Sequence, residues 1–315
     1  MKYGFGVDLG GTTVKIAYFD EAGTILEKWE IPTVTADGGG QILPDIAAAV
    51  NGYLEKKGIA RDQIVGIGIG VPGPVIGNGV VKVCDNLGWG TVDVRGILSG
   101  LTGLPVSVGN DANVAALGES WKGGGKDCRN MVLVTLGTGV GGGIVVDGKQ
   151  VCGVFGAGGE IGHMVLVPDE KEYCNCGKRG CVEQFCSATG IVRVAKRYLA
   201  AHSDESALRN IEKLTAKDVF DAAGAGDGAA ATILEQVYDY MGQFLANIGC
   251  VVDPEVFVFG GGVSRAGQPL LEGARRAFDK YVYHASAQVR FALAALGNDA
   301  GAYGAFKLVK DEYGA

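Results

Sequence analysis

The feature that most constrains the fold is a local pattern that occurs twice in this chain. In the first copy, the apolar segment Phe5–Leu9 runs into a glycine turn, returns as a second strand and is followed by a helix. In the second copy, Met131–Leu136 does the same. A repeat of this kind indicates two related halves, and strands alternating with helices indicate an α/β fold.

We therefore predict duplicated α/β lobes that face each other across a cleft. The predicted boundary lies near Asn110. It gives a small N-terminal lobe over residues 1–110, joined by a C-terminal helix at about 300–315, and a large lobe over 111–299. A chain of 315 residues allows two domains of ordinary size.

Charge and hydropathy exclude several classes of function. The net charge is −7, which disfavours nucleic-acid and anionic-membrane surfaces because phosphate binding needs a basic face. No apolar stretch has the length of a membrane span. The first strand is predicted to begin by Tyr3, so we expect no signal peptide and no N-terminal DNA-binding domain. The expected location is the cytosol, where thiols stay reduced.

One histidine and three cysteines are closely spaced in the middle of the chain: His163, Cys174, Cys176 and Cys181. This set can close on one tetrahedral metal, and it is typical of a structural zinc site. A lone histidine is more often structural, but the three cysteines downstream favour metal ligation. The chain has eight cysteines, most of them scattered, which argues against a disulfide framework. Cys186 is a weak spare candidate for the ligand set.

Two carboxylates, Glu160 and Glu183, bracket this cluster. A metal ion bound by this loop would also fix the positions of the two carboxylates and of any ligand that they bind. Glu160 and His163 are three residues apart, so in a helical turn they lie on one side. A metal-bound imidazole offers its other N–H to an acceptor, for which a substrate hydroxyl is a candidate.

The two glycine turns are predicted to bind phosphate groups through their backbone N–H groups and hydroxyls. The first contains Gly10, Gly11, Thr12 and Thr13, and the second contains Gly137, Thr138 and Gly139. Asp8 can hold magnesium or its waters, and Lys15 adds positive charge. Alone, the first turn is equally well read as a plain hairpin, but its second copy favours a nucleotide site. It is not a Walker loop, because the glycine-lysine-serine/threonine ending is missing.

The segment Gly109–Asn113 ends a predicted strand and opens a helix. An aspartate at a helix start is often only an N-cap. At a strand end on the presumed cleft, Asp111 is also a candidate base that accepts a proton from a hydroxyl attacking phosphorus, and Asn110 is a candidate to orient that hydroxyl.

These motifs together resemble the ROK family (repressor, open reading frame, kinase) over nearly the whole chain. The matching segments are Asp8–Lys15, Gly109–Asn113, Leu136–Gly142, Gly159–His163, Cys174–Glu183 and Gly260–Val263. The zinc segment is very specific, whereas the glycine turns are less so. Within the family the chain is most similar to members that phosphorylate glucose.

The resemblance implies a two-lobed, actin-like (ribonuclease-H-like) fold. It also implies ATP-dependent phosphorylation of a hexose, first of all glucose, at the 6-hydroxyl, with Mg²⁺, a structural Zn²⁺ and a homodimer. Asp111 takes the family's catalytic role, and the hexose contacts are Asn86, Asn110, Asp111, Glu160, His163 and Glu183. Gly260, Gly261 and Gly262 form the turn on the adenosine side, and His163 with the three cysteines binds the zinc.

Several alternatives stay open at this point. The substrate could be another hexose, such as N-acetylglucosamine, N-acetylmannosamine, mannose or fructose, because loops set the polar contacts that discriminate sugars. Polyphosphate could replace ATP. A sugar-binding regulator without catalysis is a further alternative. The apolar helix at Gly228–Cys250 is either a subunit interface or part of the core.

Overall fold

The computed structural model describes residues 2–77 and 79–314, and the chain divides into two compact units. The first unit contains the residues up to Asp127, the segment Gly143–Gly159 and the residues from Leu296 onward. The second contains Cys128–Gly142 and Glu160–Ala295. The sequence-based boundary at Asn110 therefore falls inside the first unit, which also includes the C-terminal helix.

The strands of the described residues are β1 (Tyr3–Leu9), β2 (Thr13–Asp20), β3 (Ile25–Pro32), β4 (Ile64–Val71), β5 (Val75–Ile76), β6 (Val80–Val81), β7 (Val92–Asp93), β8 (Val106–Asn110), β9 (Met131–Leu136), β10 (Val140–Val146), β11 (Lys149–Gln150), β12 (Val256–Gly260) and β13 (Arg290–Leu293). The α-helices are α1 (Ile42–Lys57), α2 (Val94–Thr102), α3 (Asp111–Lys122), α4 (Glu183–Cys186), α5 (Ala188–Ala201), α6 (Ala216–Gly224), α7 (Gly228–Val252), α8 (Gln268–Tyr281) and α9 (Ala300–Tyr313).

The predicted duplication is visible in the sheet topology. One sheet has the order β3-β2-β1-β4-β8 and another has the order β11-β10-β9-β12-β13. In the first sheet, β1 and β2 form an antiparallel hairpin, and β4 and β8 continue the sheet in parallel. In the second, β12 lies parallel to β9, and β13 lies parallel to β12. Each repeat thus places a glycine turn at the carboxyl end of its first strand.

The core of the first unit forms on both faces of its sheet. Apolar residues of β1, β4 and β8 pack with α1 and α2 on one face. On the other face, α9 lies directly on β1 and β4, because Gly6 and Gly68 have no Cβ to collide with the backbone of Ala302 and Ala305. This close approach brings the first turn of α9 next to Asp8.

In the second unit, one face of α7 belongs to the core. It packs against α5, α6 and α8, and its buried side chains include Ile233, Met241 and Phe244. The buried face agrees with the core alternative for the helix at Gly228–Cys250, and the subunit interface stays a prediction. Over the described residues, none of the helices combines the length and apolarity needed to cross a bilayer.

Side-chain caps define the start of two helices. Helix α4 ends before Ser187, whose backbone is extended and whose hydroxyl caps α5 by accepting from the Gly190 N–H. Helix α2, which the sequence reading missed, begins at a cap in which the Asp93 carboxylate accepts from the Gly96 N–H.

Candidate functional site

In the first unit, strand register brings predicted site residues to one sheet edge. Asp8 of β1 pairs with Gly70 of β4, and Gly70 pairs with Gly109 of β8. Because these strands are parallel, their carboxyl ends coincide, and Asn110 ends β8 just beyond Gly109. Asp8, the first glycine turn and the start of α3 therefore lie at the same edge.

Asp8 sits among the strand ends and the first turn of α9. A Cβ added at Gly301 would come within 2.7 Å of the Asp8 carboxyl carbon, so the carboxylate needs glycine at that position. Lys15 Nζ lies 3.5 Å from the Asp8 carboxylate. Burial raises the pKa of Asp8, and the charge of Lys15 opposes that rise.

Two hydrogen bonds fix the conformation of the first glycine turn. The Gly10 N–H donates to the Thr13 carbonyl at 3.0 Å, and the Thr33 hydroxyl donates to the Gly10 carbonyl at 2.7 Å. Gly11 and Thr12 at the tip are exposed. The loop is therefore held in place, while the backbone groups at its tip are accessible to a ligand.

Asn110, and not Asp111, caps helix α3. Its side-chain oxygen accepts from the N–H groups of Ala112 and Asn113, and its amide donates to the Gly73 carbonyl at 3.1 Å. Asp111 is the first residue of the helix, where the N-terminal dipole stabilises a negative charge. The N-cap role that the sequence allowed for Asp111 is therefore filled by Asn110.

Asn86 lies in the same region of the first unit. It is exposed in a short 3₁₀ turn, and its carbonyl oxygen is 3.9 Å from where a Cβ on Gly11 would stand. The pKa of the nearby Cys84 thiol is raised, first by burial and also by the charge of Asp111. Asn86 therefore lies close to the first glycine turn.

In the second unit, His163, Cys174, Cys176 and Cys181 meet as predicted. Their ligand atoms all lie within 4.8 Å of one another. Cys176 Sγ and Cys181 Sγ are 3.5 Å apart, and Cys174 Sγ and His163 Nδ1 are 3.8 Å apart. Zinc–sulfur bonds of about 2.3 Å in a tetrahedron place sulfur atoms roughly 3.8 Å apart, so the four side chains fit a zinc ion.

The chemistry around the cluster agrees with a metal site. Burial raises the pKa of the Cys181 thiol to about 12 and also raises that of Cys174. A metal ion would supply the positive charge that keeps such crowded thiols ionised. His163 Nε2 faces Glu160 at 3.9 Å, the usual arrangement of a carboxylate behind a metal-bound imidazole. Cys186 is fully buried and stands outside this group.

Glu183 connects the cluster to the second glycine turn. One carboxylate oxygen accepts from the Val140 N–H at 3.0 Å, directly after Gly139. The other accepts from the Cys174 thiol at 3.6 Å. A Cβ at Gly139 would collide with this carboxylate, so the glycine is required for the contact. The bond to Val140 is a role that the sequence did not reveal.

The second glycine turn is also anchored to the start of α5. The Thr189 hydroxyl donates to the Thr138 carbonyl at 2.8 Å, and the Ala188 N–H donates to the Gly137 carbonyl at 2.8 Å. Gly261, with φ of 82°, lies against the end of β9, since a Cβ there would be 2.6 Å from the Leu136 carbonyl. The predicted turn at Gly260–Gly262 is thus next to the second glycine turn.

A partly exposed ion pair supports the segment that leads into the cysteine cluster, and its carboxylate, Glu170, is buried. The Arg197 guanidinium of α5 contacts the Glu170 carboxylate at 2.6 Å and 3.0 Å, and also contacts Glu172 at 2.8 Å. These contacts hold the pKa of Glu170 down at about 2 against the opposing effect of burial. Nothing in the residue spacing pointed to this support, because Arg197 lies far along the chain on a separate helix.

The chain belongs to the ROK family, whose model matches residues 4–312. It is 45% identical to the glucokinase of Halalkalibacterium halodurans, over 98% of this chain and 94% of that protein. It is 36% identical to the glucokinase of Thermotoga maritima, over 98% of both. The crystal structure of a ROK family glucokinase from Streptomyces griseus in complex with glucose and AMPPNP has a TM-score of 0.74, 33% identity, and coverage of 98% of this chain and 99% of that chain.

These likenesses confirm the family and the fold class, an actin-like α/β fold of two lobes. The structure assembles the predicted residues in two groups, one in each unit. Asp8, the first turn, Asn86, Asn110 and Asp111 form the first group. The metal cluster with its two glutamates, the second turn and Gly260–Gly262 form the second.

Proposed function

We propose that this chain transfers the γ-phosphoryl group of ATP to the 6-hydroxyl of glucose, giving glucose 6-phosphate and ADP. The observation that carries the proposal is the 45% identity to a glucokinase over 98% of the chain. The duplicated glycine turns support it, because phosphoryl transfer depends mainly on positioning and charge neutralisation.

Asp111 is the proposed catalytic base, which takes the proton from the 6-hydroxyl as that oxygen attacks phosphorus. Its position at the first residue of α3 supports this role, since the helix N-terminus stabilises the ionised carboxylate that a base must provide. Asn110 fixes the start of the helix through its cap. Its second amide hydrogen is the candidate contact to the sugar.

Five further side chains are proposed to hold the hexose: Asn86, Asn110, Glu160, His163 and Glu183. Glu183 already uses one oxygen on the Val140 N–H. The other accepts from Cys174, but a metal-bound thiolate has no proton to donate. That oxygen is then available to a sugar hydroxyl.

The two glycine turns are proposed to bind the ATP phosphates, and Gly260–Gly262 the adenosine side. Asp8 is the proposed carboxylate for Mg²⁺, which supplies positive charge at the phosphates when bound. Lys15 neutralises Asp8 in the absence of the ion and adds charge at the same edge. Zn²⁺ is the proposed ion for the cluster, where it fixes Glu183 and His163 together.

The test measures sugar-phosphate formation over a panel of sugars, with ADP release measured wherever ATP is the donor. Each reaction with ATP contains one of five sugars: glucose, N-acetylglucosamine, N-acetylmannosamine, mannose or fructose. Glucose is also assayed with polyphosphate in place of ATP. The proposal expects glucose with ATP to give the highest kcat/KM. A higher value for another sugar or for polyphosphate would reassign the substrate or the donor. Sugar binding without ADP release would instead indicate a regulator.

We also propose a homodimer in the cytoplasm. The reduced thiols that the metal cluster needs suit that compartment. Light scattering coupled to size-exclusion chromatography measures the assembly directly. A mass of one 32.5 kDa chain would contradict the dimer.

A further inference from the structure

Glu119 of α3 has a buried carboxylate that the proposed chemistry does not use. The residue is only 1% exposed. One carboxylate oxygen accepts from the Leu296 N–H at 2.9 Å, and the other accepts from the Gly124 N–H at 2.8 Å. Burying a carboxylate is costly unless hydrogen bonds replace those of water, and these two N–H groups supply such bonds. Glu119 therefore ties together two stretches of chain that are far apart in the sequence.

Both stretches lie where the chain passes from one unit to the other. The first unit runs up to Asp127, shortly after Gly124, and it resumes at Leu296. The N–H of Leu296 is thus the first backbone donor after the chain returns to this unit. We refer to residues 123–128 and 295–298 as the connecting segments. Glu119 fixes both of them from the side of the first unit.

The connecting segments have the backbone freedom that a hinge needs. Residues 123–125 are three consecutive glycines, and Asp127 has a φ of 70°. Gly297, in the other segment, has a φ of 55°. Domain closure is commonly absorbed by a few such loop residues. The carboxylate also depends on glycine at position 123, because a Cβ on Gly123 would collide with it.

Helix α3 connects this carboxylate to the proposed base. Asp111 is the first residue of the helix, and Glu119 lies about 12 Å further along it at 1.5 Å per residue. The helix is packed tightly on α9, since a Cβ at Gly118 or Gly304 would collide with the backbone of the facing helix. The two helices therefore form a rigid pair, and a change at the Glu119 end is transmitted to the Asp111 end.

We propose that Glu119 is a positioning residue that makes the two connecting segments act as one hinge when the units close on ATP and glucose. The inference rests on the proposed function for the identity of these ligands. Glu119 acts through α3 and the connecting segments rather than through contact with a substrate. If closure is shared in this way, glucose and ATP strengthen each other's binding, and the loss of either hydrogen bond of Glu119 weakens that coupling.

Two variants each remove one of these hydrogen bonds. Glu119→Gln keeps the size of the side chain, but its amide nitrogen cannot accept a hydrogen bond. Leu296→Pro removes the N–H itself, and the φ of −86° at this residue lies near the range of proline. Glu272→Gln, at an exposed glutamate of α8, is the matched control. Thermal melting of each variant checks folding.

Hydrogen exchange of the ligand-free proteins, followed by mass spectrometry, tests whether the two segments act as one. Leu296→Pro should speed exchange in the peptide that covers residues 123–128 by about threefold or more, although the substitution lies in the other segment. Glu119→Gln should speed exchange in both segments, and Glu272→Gln in neither. Unchanged exchange at residues 123–128 in Leu296→Pro would overturn the proposal. So would a uniform rise over the whole chain, because Glu119 would then only support the fold.

Calorimetry on the same proteins tests the coupling of the ligands. The Kd of a non-hydrolysable ATP analogue is measured with and without saturating glucose. Glucose should lower this Kd about fivefold or more in the unsubstituted chain and in Glu272→Gln, and less than about twofold in the two hinge variants. Equal coupling in the hinge variants and the unsubstituted chain would overturn the proposal, even if kcat fell.

The two measurements also separate this proposal from the proposed function. If the unsubstituted chain releases no ADP with glucose, the proposed function fails, and the ligand-free exchange at residues 123–128 decides the role of Glu119 without any substrate. If the unsubstituted chain turns over glucose but shows no coupling between the two ligands, the proposed function stands and the hinge proposal is overturned.

Discussion

The two glycine turns have the same topology but differ in what supports them. Each follows the first strand of a repeat, and each has a threonine hydroxyl that donates to a turn carbonyl, from Thr33 in the first and from Thr189 in the second. The first turn stands beside the charged pair of Asp8 and Lys15. The second is bound through Val140 to Glu183, which also contacts the metal cluster.

The difference indicates that the two units took on different roles after the duplication. In the proposed function, the first unit supplies charged groups and the base, whereas the second supplies sugar contacts on the loop that carries the proposed metal site. Substitutions in the first unit should therefore lower turnover most. Those around the cluster should first weaken binding and stability.

The largest effect is expected for Asp111→Asn. Losing a general base typically costs about 10²–10⁴-fold in rate. The variant should fold and bind glucose, because asparagine keeps the size of the side chain, but its kcat should fall by that factor. Steady-state kinetics with glucose titrations by calorimetry measure both quantities. A kcat within tenfold of the unsubstituted enzyme would refute the role of Asp111.

Removing the metal should mainly affect binding. Chelation releases the loop that carries His163 and Glu183, and loss of supporting contacts around a site commonly costs about 10–100-fold. We expect the Kd for glucose to rise by that order and the melting temperature to fall. Cys176→Ser should reproduce both changes, whereas Cys250→Ser, at an exposed cysteine outside the cluster, should not. Unchanged glucose affinity in fully metal-free protein would disprove the coupling.

Glu183→Ala should weaken ATP binding, because Glu183 also holds the second glycine turn. The variant leaves the Val140 N–H without its carboxylate and releases the second turn. We expect the KM for ATP to rise about tenfold, as for the loss of a charge-assisted hydrogen bond of about 1.5 kcal/mol. Glu205→Ala, at an exposed glutamate, serves as the control. A normal KM for ATP with weakened glucose binding would limit Glu183 to the sugar.

The ion pair of Glu170 with Arg197 should make part of the free energy of unfolding depend on pH. The folded pKa of Glu170 is about 2, against an ordinary value of 4.5. A lowered folded pKa means that this contribution is complete above about pH 4.5 and is lost as the pH falls towards 2. Since Arg197 is partly exposed, we expect about 1–2 kcal/mol. Urea unfolding at pH 7 and pH 3 should show a difference between the native chain and Glu170→Gln that shrinks at the lower pH. A constant difference would contradict the assignment.

The sequence predicted what depends on local pattern. Strand and helix periodicity, the two glycine turns and the close spacing of the metal ligands all act over short stretches of chain. It did not predict contacts that tertiary packing creates, such as Arg197 with Glu170 or Glu183 with Val140. It also named Asp111 rather than Asn110 as the possible cap, because both residue types favour that position and only backbone geometry separates them. Helix α2 was missed because it is short and has glycines within it.

The smallest effects are expected from the two threonines, and they test the comparison of the turns most directly. Thr33→Val and Thr189→Val each remove one hydroxyl donor without changing the shape of the side chain. Each should raise the KM for ATP by a few fold, in line with about 1 kcal/mol for one hydrogen bond.

Combining each substitution with Glu183→Ala separates the two supports. Thr189 and Glu183 hold the same turn, so their double variant should deviate from additivity by about 0.5 kcal/mol or more. Thr33 holds the other turn, so its effect should simply add to that of Glu183→Ala. Additivity in both double variants would mean that Glu183 does not support the second turn, and non-additivity in both would mean that the two turns do not act separately.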